Sequence, residues 1–155
     1  MKEKLGLLNS NVVIDYDRDT YTPEPVGALN WVEEMIDDGW KFYISEITVM
    51  EVLKGFVRVA RPQELNEFKE RFQLFRKKLR IKILPLTKMV RRRARELMEK
   101  LCRQQMPEKS EKIICDMFIA STALEYSLIL FTHNIRHFLW IPDLQVERPD
   151  YGGET

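Results

Sequence analysis

Carboxylates set where a cation would want them are the first chemical signal in this chain. Residues 12–19 read VVIDYDRD. An apolar run of β-branched residues ends at Asp15, and Asp17 and Asp19 follow at alternate positions. Three like charges this close repel one another unless a cation sits among them or water screens them. The stretch therefore reads either as a solvated, acidic strand end or as one wall of a divalent-metal site. Two other acids stand in apolar surroundings. Asp116 lies in IICDMFIASTALEY, a helix apolar nearly all round. A buried aspartate there needs a metal, a cation or a set of hydrogen bonds. Glu51 lies in ISEITVMEVLKG, flanked by Val49, Met50, Val52 and Leu53. Glu46, in the first turn of the same helix, reads as ordinary complement to the helix dipole. Hard divalent cations are held by such oxygen donors.

The elements that must bring these acids together can be read in order. NVVID is expected as a short buried strand with Asp15 at its C-terminal end. A proline-containing loop follows, then a helix over VGALNWVEEMIDDG that Gly39 ends. KFYIS is a second strand. Ser45 is placed to cap a helix from Glu46 to Phe56. Leu65, Phe68, Phe72, Phe75 and Leu79 recur at spacings of three and four, one narrow apolar stripe on a long helix. RIKILPL is a third strand, and Thr87 caps the helix after it. CRQQMPEKS breaks that helix, and Ser110 is placed to cap the apolar helix that carries Asp116. LILFT is a fourth strand and DLQVERP a short last one. Strands alternating with helices imply an α/β domain with a mainly parallel sheet. Ligands of such sheets gather at the C-terminal ends of the strands. Asp15 and the Thr132–Asn134 segment are expected to share that crevice.

The whole chain suits one domain, residues 1–155, with its own core. It is 45% hydrophobic and 32% charged with a formal net charge of +1, so any affinity for nucleic acid has to come from local patches. Cys102 and Cys115 are too few for a disulfide scaffold and lack the spacing of a metal knuckle, which suits reduced thiols in a cytoplasmic protein. No stretch is long and apolar enough to span a membrane.

VVIDYD, ISEITVMEVLKG and DMFIASTALEYSLILFTHNIRHF, in that order, resemble the three motif regions of the PIN domain family, typified by the VapC-like toxin ribonucleases of type II toxin–antitoxin pairs. The family pattern has a first strand ending in Asp, a segment of the form (I/V)S-x-(I/V)T-x-x-E-(L/V)-x-x-G, and a later Asp helix followed by a strand ending T-x-N. The resemblance implies a three-layer α/β/α sandwich on a mainly parallel sheet. It implies a metal-dependent endoribonuclease acting on single-stranded RNA with Mg²⁺ or Mn²⁺, held by an antitoxin protein and forming a homodimer. Carried across residue by residue, it assigns catalysis and metal binding to Asp15, Glu51 and Asp116. It assigns support of the metal shell or substrate to Thr132 and Asn134, with Asp17 and His137 placed to add a charge or a phosphate contact. The chain departs from the pattern at Tyr16, where Thr or Ser is usual, at Asp17, where Asn is usual, and at Asn134 and His137, where a further acid is common. These departures leave an alternative: a degenerate, non-catalytic PIN-like domain that binds RNA or a protein partner.

Other features have plainer readings. An EF-hand loop would need Gly where Thr20 stands and an acid where Val26 stands, so DYDRD is not one. A haloacid-dehalogenase-like site would want Thr or Val where Asp19 stands. RRRAR (91–95) and RKKLRIK (76–82) suit either a nucleic-acid backbone or a solvated helix face. The Leu65–Leu79 stripe suits core or a partner contact. Trp31, Trp40 and Trp140 read as packing residues.

Overall fold

The computed structural model describes residues 3–105 and 112–151. Five strands form one all-parallel sheet in the order β3-β2-β1-β4-β5: β1 (Leu5–Leu8), β2 (Lys41–Ser45), β3 (Lys82–Leu84), β4 (Ile129–Phe131) and β5 (Val146–Glu147). Strand order reverses at β1, which pairs with β2 on one side and β4 on the other, so a crevice opens where those strands end.

Side chains alternate across each strand and divide the core into two layers. Leu8, Phe42, Ile44 and Phe131 face α1 (Ser10–Asp19), α2 (Ala28–Asp37), α3 (Glu46–Val59) and α4 (Pro62–Leu79). Leu7 and Leu130 face α5 (Lys88–Arg103) and α6 (Ile113–Glu125). The result is the α/β/α sandwich on a parallel sheet that the family resemblance implies. The stripe on α4 is core: Phe68 and Phe75 are buried, and Tyr16, Phe75, Phe72, Phe68 and Phe56 form a chain of ring contacts 4.2–6.1 Å apart.

The caps on α3 and α5 are as expected. Ser45 Oγ accepts from Ile47 N and Thr87 Oγ1 from Val90 N. The expected cap at Ser110 lies outside the described residues.

One element is corrected. NVVID is not a strand: it lies inside α1, and the first strand is the preceding LGLL. Val12, Val13 and Tyr16 are the buried residues of that stretch, an i, i+1, i+4 spacing that belongs to a helix face. Asn9 caps the helix, its Oδ1 accepting from Ser10 N at 2.8 Å. The strand preference of β-branched residues depends on context, and here tertiary packing decides.

Gly6, in the middle of β1, sits under an aromatic box of Trp31, Trp40, Phe42 and Phe131. A Cβ there would lie 2.7–2.8 Å from the rings of Phe42 and Phe131, both buried. Gly6→Ala is expected to lower unfolding stability by about 1–3 kcal/mol, the usual cost of overpacking, as measured by urea denaturation.

Candidate functional site

The crevice at the strand ends is built around a buried hydroxyl. Thr132, just past β4, is fully buried. Its Oγ1 accepts from Asn9 Nδ2 at 2.9 Å, from Asn134 N at 3.1 Å and from Asn11 Nδ2 at 3.3 Å. Ser10 N donates to the other amide atom of Asn9, which must therefore be the oxygen, so it is the nitrogen that faces Thr132. Asn11 Oδ1 is buried without a partner among the described residues, so the Asn11 amide turned over sets that oxygen 3.3 Å from Thr132 Oγ1 as acceptor of its proton, and Asn9 and the Asn134 N–H remain as two donors for two lone pairs.

Beside this knot, α3 presents Glu51, Lys54, Gly55 and Arg58 at i, i+3, i+4 and i+7, one stripe along a cleft of about 170 Å³. Ser10 and Ile14 of α1, with Lys112 and Cys115 at the start of α6, close it. Glu51 is half-buried, and its Oε1 has no hydrogen-bond partner among the described residues. Burial raises its pKa, the Asp116 carboxylate adds to that, and Lys112, a hydrogen bond with the Ser10 side chain and Lys54 oppose it. Asp116 is buried in the first turn of α6, where the helix dipole favours a negative charge. Its Oδ2 is 3.2 Å from Nδ1 of His137, and the 3₁₀ turn of His137 is held by Trp140, whose Nε1 donates to the His137 carbonyl.

Glu51, Asp116, Thr132, Asn134 and His137 thus gather around the C-terminal ends of the strands. Asp15 and Asp17 do not join them through any hydrogen bond. Asp15 belongs to the helix, six residues beyond Asn9, and the strand end that pointed to it is occupied by Asn9. Its Oδ2 accepts from the Tyr151 hydroxyl at 2.8 Å and lies 3.5 Å from Nε2 of buried His133. His133 Nε2 is itself 2.8 Å from Tyr151 Oη. Burial holds the His133 imidazole below its ordinary pKa against the pull of Asp15, and burial with the Asp15 bond drives the Tyr151 phenol far above its own. Asp17 accepts Arg71 of α4 through both oxygens, at 2.8 and 3.0 Å. Asp19 accepts from the backbone N–H groups of Val26, Gly27 and Leu29, holding the start of α2. Each acid of DYDRD has its own partner, so the cluster needs no metal. The residue missed by sequence reasoning is Asn9. Its signal was an apolar run of four, LGLL, followed by a residue type that caps helices.

Among the described residues no group of three or more His, Cys, Asp or Glu side chains is placed to hold a metal ion. The three-carboxylate centre expected on Asp15, Glu51 and Asp116 does not form, because α1 carries Asp15 on a face that packs against Tyr151 and His133. Two carboxylates, Glu51 and Asp116, remain.

A parallel sheet with an acidic pair at its switch point defines an α/β domain of the kind that carries its chemistry at the strand ends. The chain belongs to the PIN domain family, which it matches over residues 7–139. The fold is VapC-like. VapBC2 from Rickettsia felis, solved bound to a promoter DNA fragment, is similar with a TM-score of 0.73 at 21% identity, covering 94% of this chain and 99% of that one. FitAcB from Neisseria gonorrhoeae is similar with a TM-score of 0.70 at 24% identity over 94% and 97%. DNA-bound VapBC from Salmonella typhimurium gives 0.69 at 23% over 95% and 98%. No curated protein sequence matches the chain.

The Asp17–Arg71 pair has side chains only 14% and 28% exposed, unlike the open Arg61–Glu64 pair at 66% and 49%. Asp17→Ala is expected to cost about 1.5–3 kcal/mol of stability, the range for hydrogen bonds to charged groups. Glu64→Ala is expected to cost less than about 1 kcal/mol. Paired denaturation curves check both.

Proposed function

We propose that this chain is a PIN domain of a toxin–antitoxin pair that holds single-stranded RNA in the Glu51 cleft without cutting it. The observation that carries this reading is Asn9. The family pattern ends its first strand in Asp, and the residue that follows β1 here is an amide. With Asn134 and His137 also non-acidic, two carboxylates stand where the pattern has three or four. Lys54, Arg58 and Lys112 line the same cleft and supply the positive charge that a phosphate backbone requires. A second reading, the Mg²⁺- or Mn²⁺-dependent endoribonuclease, is favoured by the unpartnered Oε1 of Glu51 beside Asp116, a pair whose oxygens suit one hydrated divalent cation.

An antitoxin protein and a second copy of the chain are the protein partners in this reading. Solved structures similar to the chain are toxin–antitoxin complexes, among them one from Klebsiella pneumoniae. Met50, Val57 and Ile114 leave exposed apolar surface on α3 and α6 for such contacts. A cytoplasmic site suits the free thiols of Cys102 and Cys115.

The test is cleavage of a mixed single-stranded RNA pool with Mg²⁺, Mn²⁺ or EDTA. The native chain is expected to leave the pool intact, and Asn9→Asp to cut it only with metal. Asp15→Asn added to Asn9→Asp is expected to leave that cutting in place. Metal-dependent cutting by the native chain that Asp116→Asn abolishes would establish the second reading instead.

Binding is read by fluorescence anisotropy on the same RNA. Lys54→Ala and Arg58→Ala are each expected to weaken it and to reduce the slope of log affinity against log salt by about 0.7, one phosphate contact on a single strand.

A further inference from the structure

A second cavity, of about 340 Å³, lies at the opposite end of the sheet from the Glu51 cleft. Its wall is apolar and aromatic, from Trp40 and Phe42 at the start of β2 to Leu79 at the end of α4. Its rim carries Lys41, Arg80 and Lys82. Lys41 and Lys82 begin β2 and β3, and Arg80 is the αL cap that turns the chain from α4 into β3. All three are exposed, none makes an ion pair among the described residues, and no acid lines the cavity. Asp38 is paired with Lys4 and Glu33 with Lys78. The Trp40 indole is fixed in advance: it stacks on Phe42 at 6.1 Å and meets Phe131 edge-on at 5.3 Å. Part of RKKLRIK, which the sequence left between a nucleic-acid contact and a solvated face, thus becomes the rim of a hollow. Arg76 and Lys78 of that run are spent within the fold, on the Ile81 carbonyl and on Glu33.

We propose that this cavity is a nucleotide-binding site, taking the base of a nucleotide against Trp40 and its phosphate on Arg80, Lys82 and Lys41. An aromatic wall gains from an aromatic base, three unpaired cations gain from a phosphate, and one ligand class carries both. The volume falls in the range of small-ligand sites. A free nucleotide and one unit of a single-stranded RNA share this chemistry. The site is separate from the Glu51 cleft and does not depend on what that cleft does.

The experiment is calorimetric titration of the whole protein with adenosine monophosphate, inorganic phosphate and a single-stranded uridine hexamer. The monophosphate is expected to bind at least tenfold more tightly than phosphate alone. The Arg80→Gln/Lys82→Gln variant is expected to weaken it at least tenfold, and Lys41→Gln to weaken it in the same direction. Lys54→Gln/Arg58→Gln, in the cleft, is expected to leave it unchanged. A hexamer that binds more tightly than the monophosphate and responds to the rim variants identifies the source as an RNA strand. A hexamer that ignores them, with monophosphate binding intact, identifies a free nucleotide. No binding of either probe at millimolar concentration, or binding that survives both rim variants in protein with native thermal unfolding, would overturn the proposal.

Discussion

The buried hydroxyl of Thr132 is the point on which the crevice depends. It joins the residue that ends β1, the first turn of α1 and the loop that leaves β4, adding a side-chain tie where the β1–β4 ladder ends with Asn9 N donating to the Phe131 carbonyl. A buried polar group is costly unless it is bonded, so this contact fixes where each segment can lie. Asn9 is thereby held as helix cap and hydroxyl partner at once, and α1 leaves the sheet at an angle set by both. Ser10 and Ile14 then face α3, and the cleft beside Glu51 exists because of that angle.

Most of the fold was legible because the elements that fill it are long or strongly patterned. The α4 stripe, the caps at Ser45 and Thr87 and the strand KFYIS all follow from local chemistry that tertiary packing does not contest. Glu51 and Asp116 were legible for a different reason. A charged residue set among apolar neighbours has to be explained, and both acids stand at the crevice. The first strand was misread because four residues of LGLL, one of them glycine, carry little strand propensity, while VVI carries much. A shift from one run to the next moved the expected acid from position 9 to position 15. What settles the matter is packing: the aromatic box accepts Gly6 and nothing larger.

The acids of DYDRD show how a charge cluster can be entirely structural. On a helix, residues two apart point away from each other and residues four apart share a face, so Asp17 reaches α4 on one side while Asp15 and Asp19 reach the C-terminal segment and the start of α2 on the other. One ties the C-terminal segment through Tyr151, one ties α4 through Arg71, and one caps α2. Helix α1 is therefore a hub whose charges are spent on the fold. The two ends of the sheet then differ in character. Around the cleft two carboxylates stand among cations, and at the opposite end cations stand without carboxylates.

The hydrogen bonding of Thr132 has an evolutionary consequence. Asn11 and Asn9 between them balance the hydroxyl with an amide at position 9, and an aspartate there would have the same shape. Codons for asparagine and aspartate differ at a single base, so the surrounding structure would need no second change to receive the carboxylate. A change between amide and acid at position 9 is therefore a shallow step, one that does not require the fold to be rebuilt.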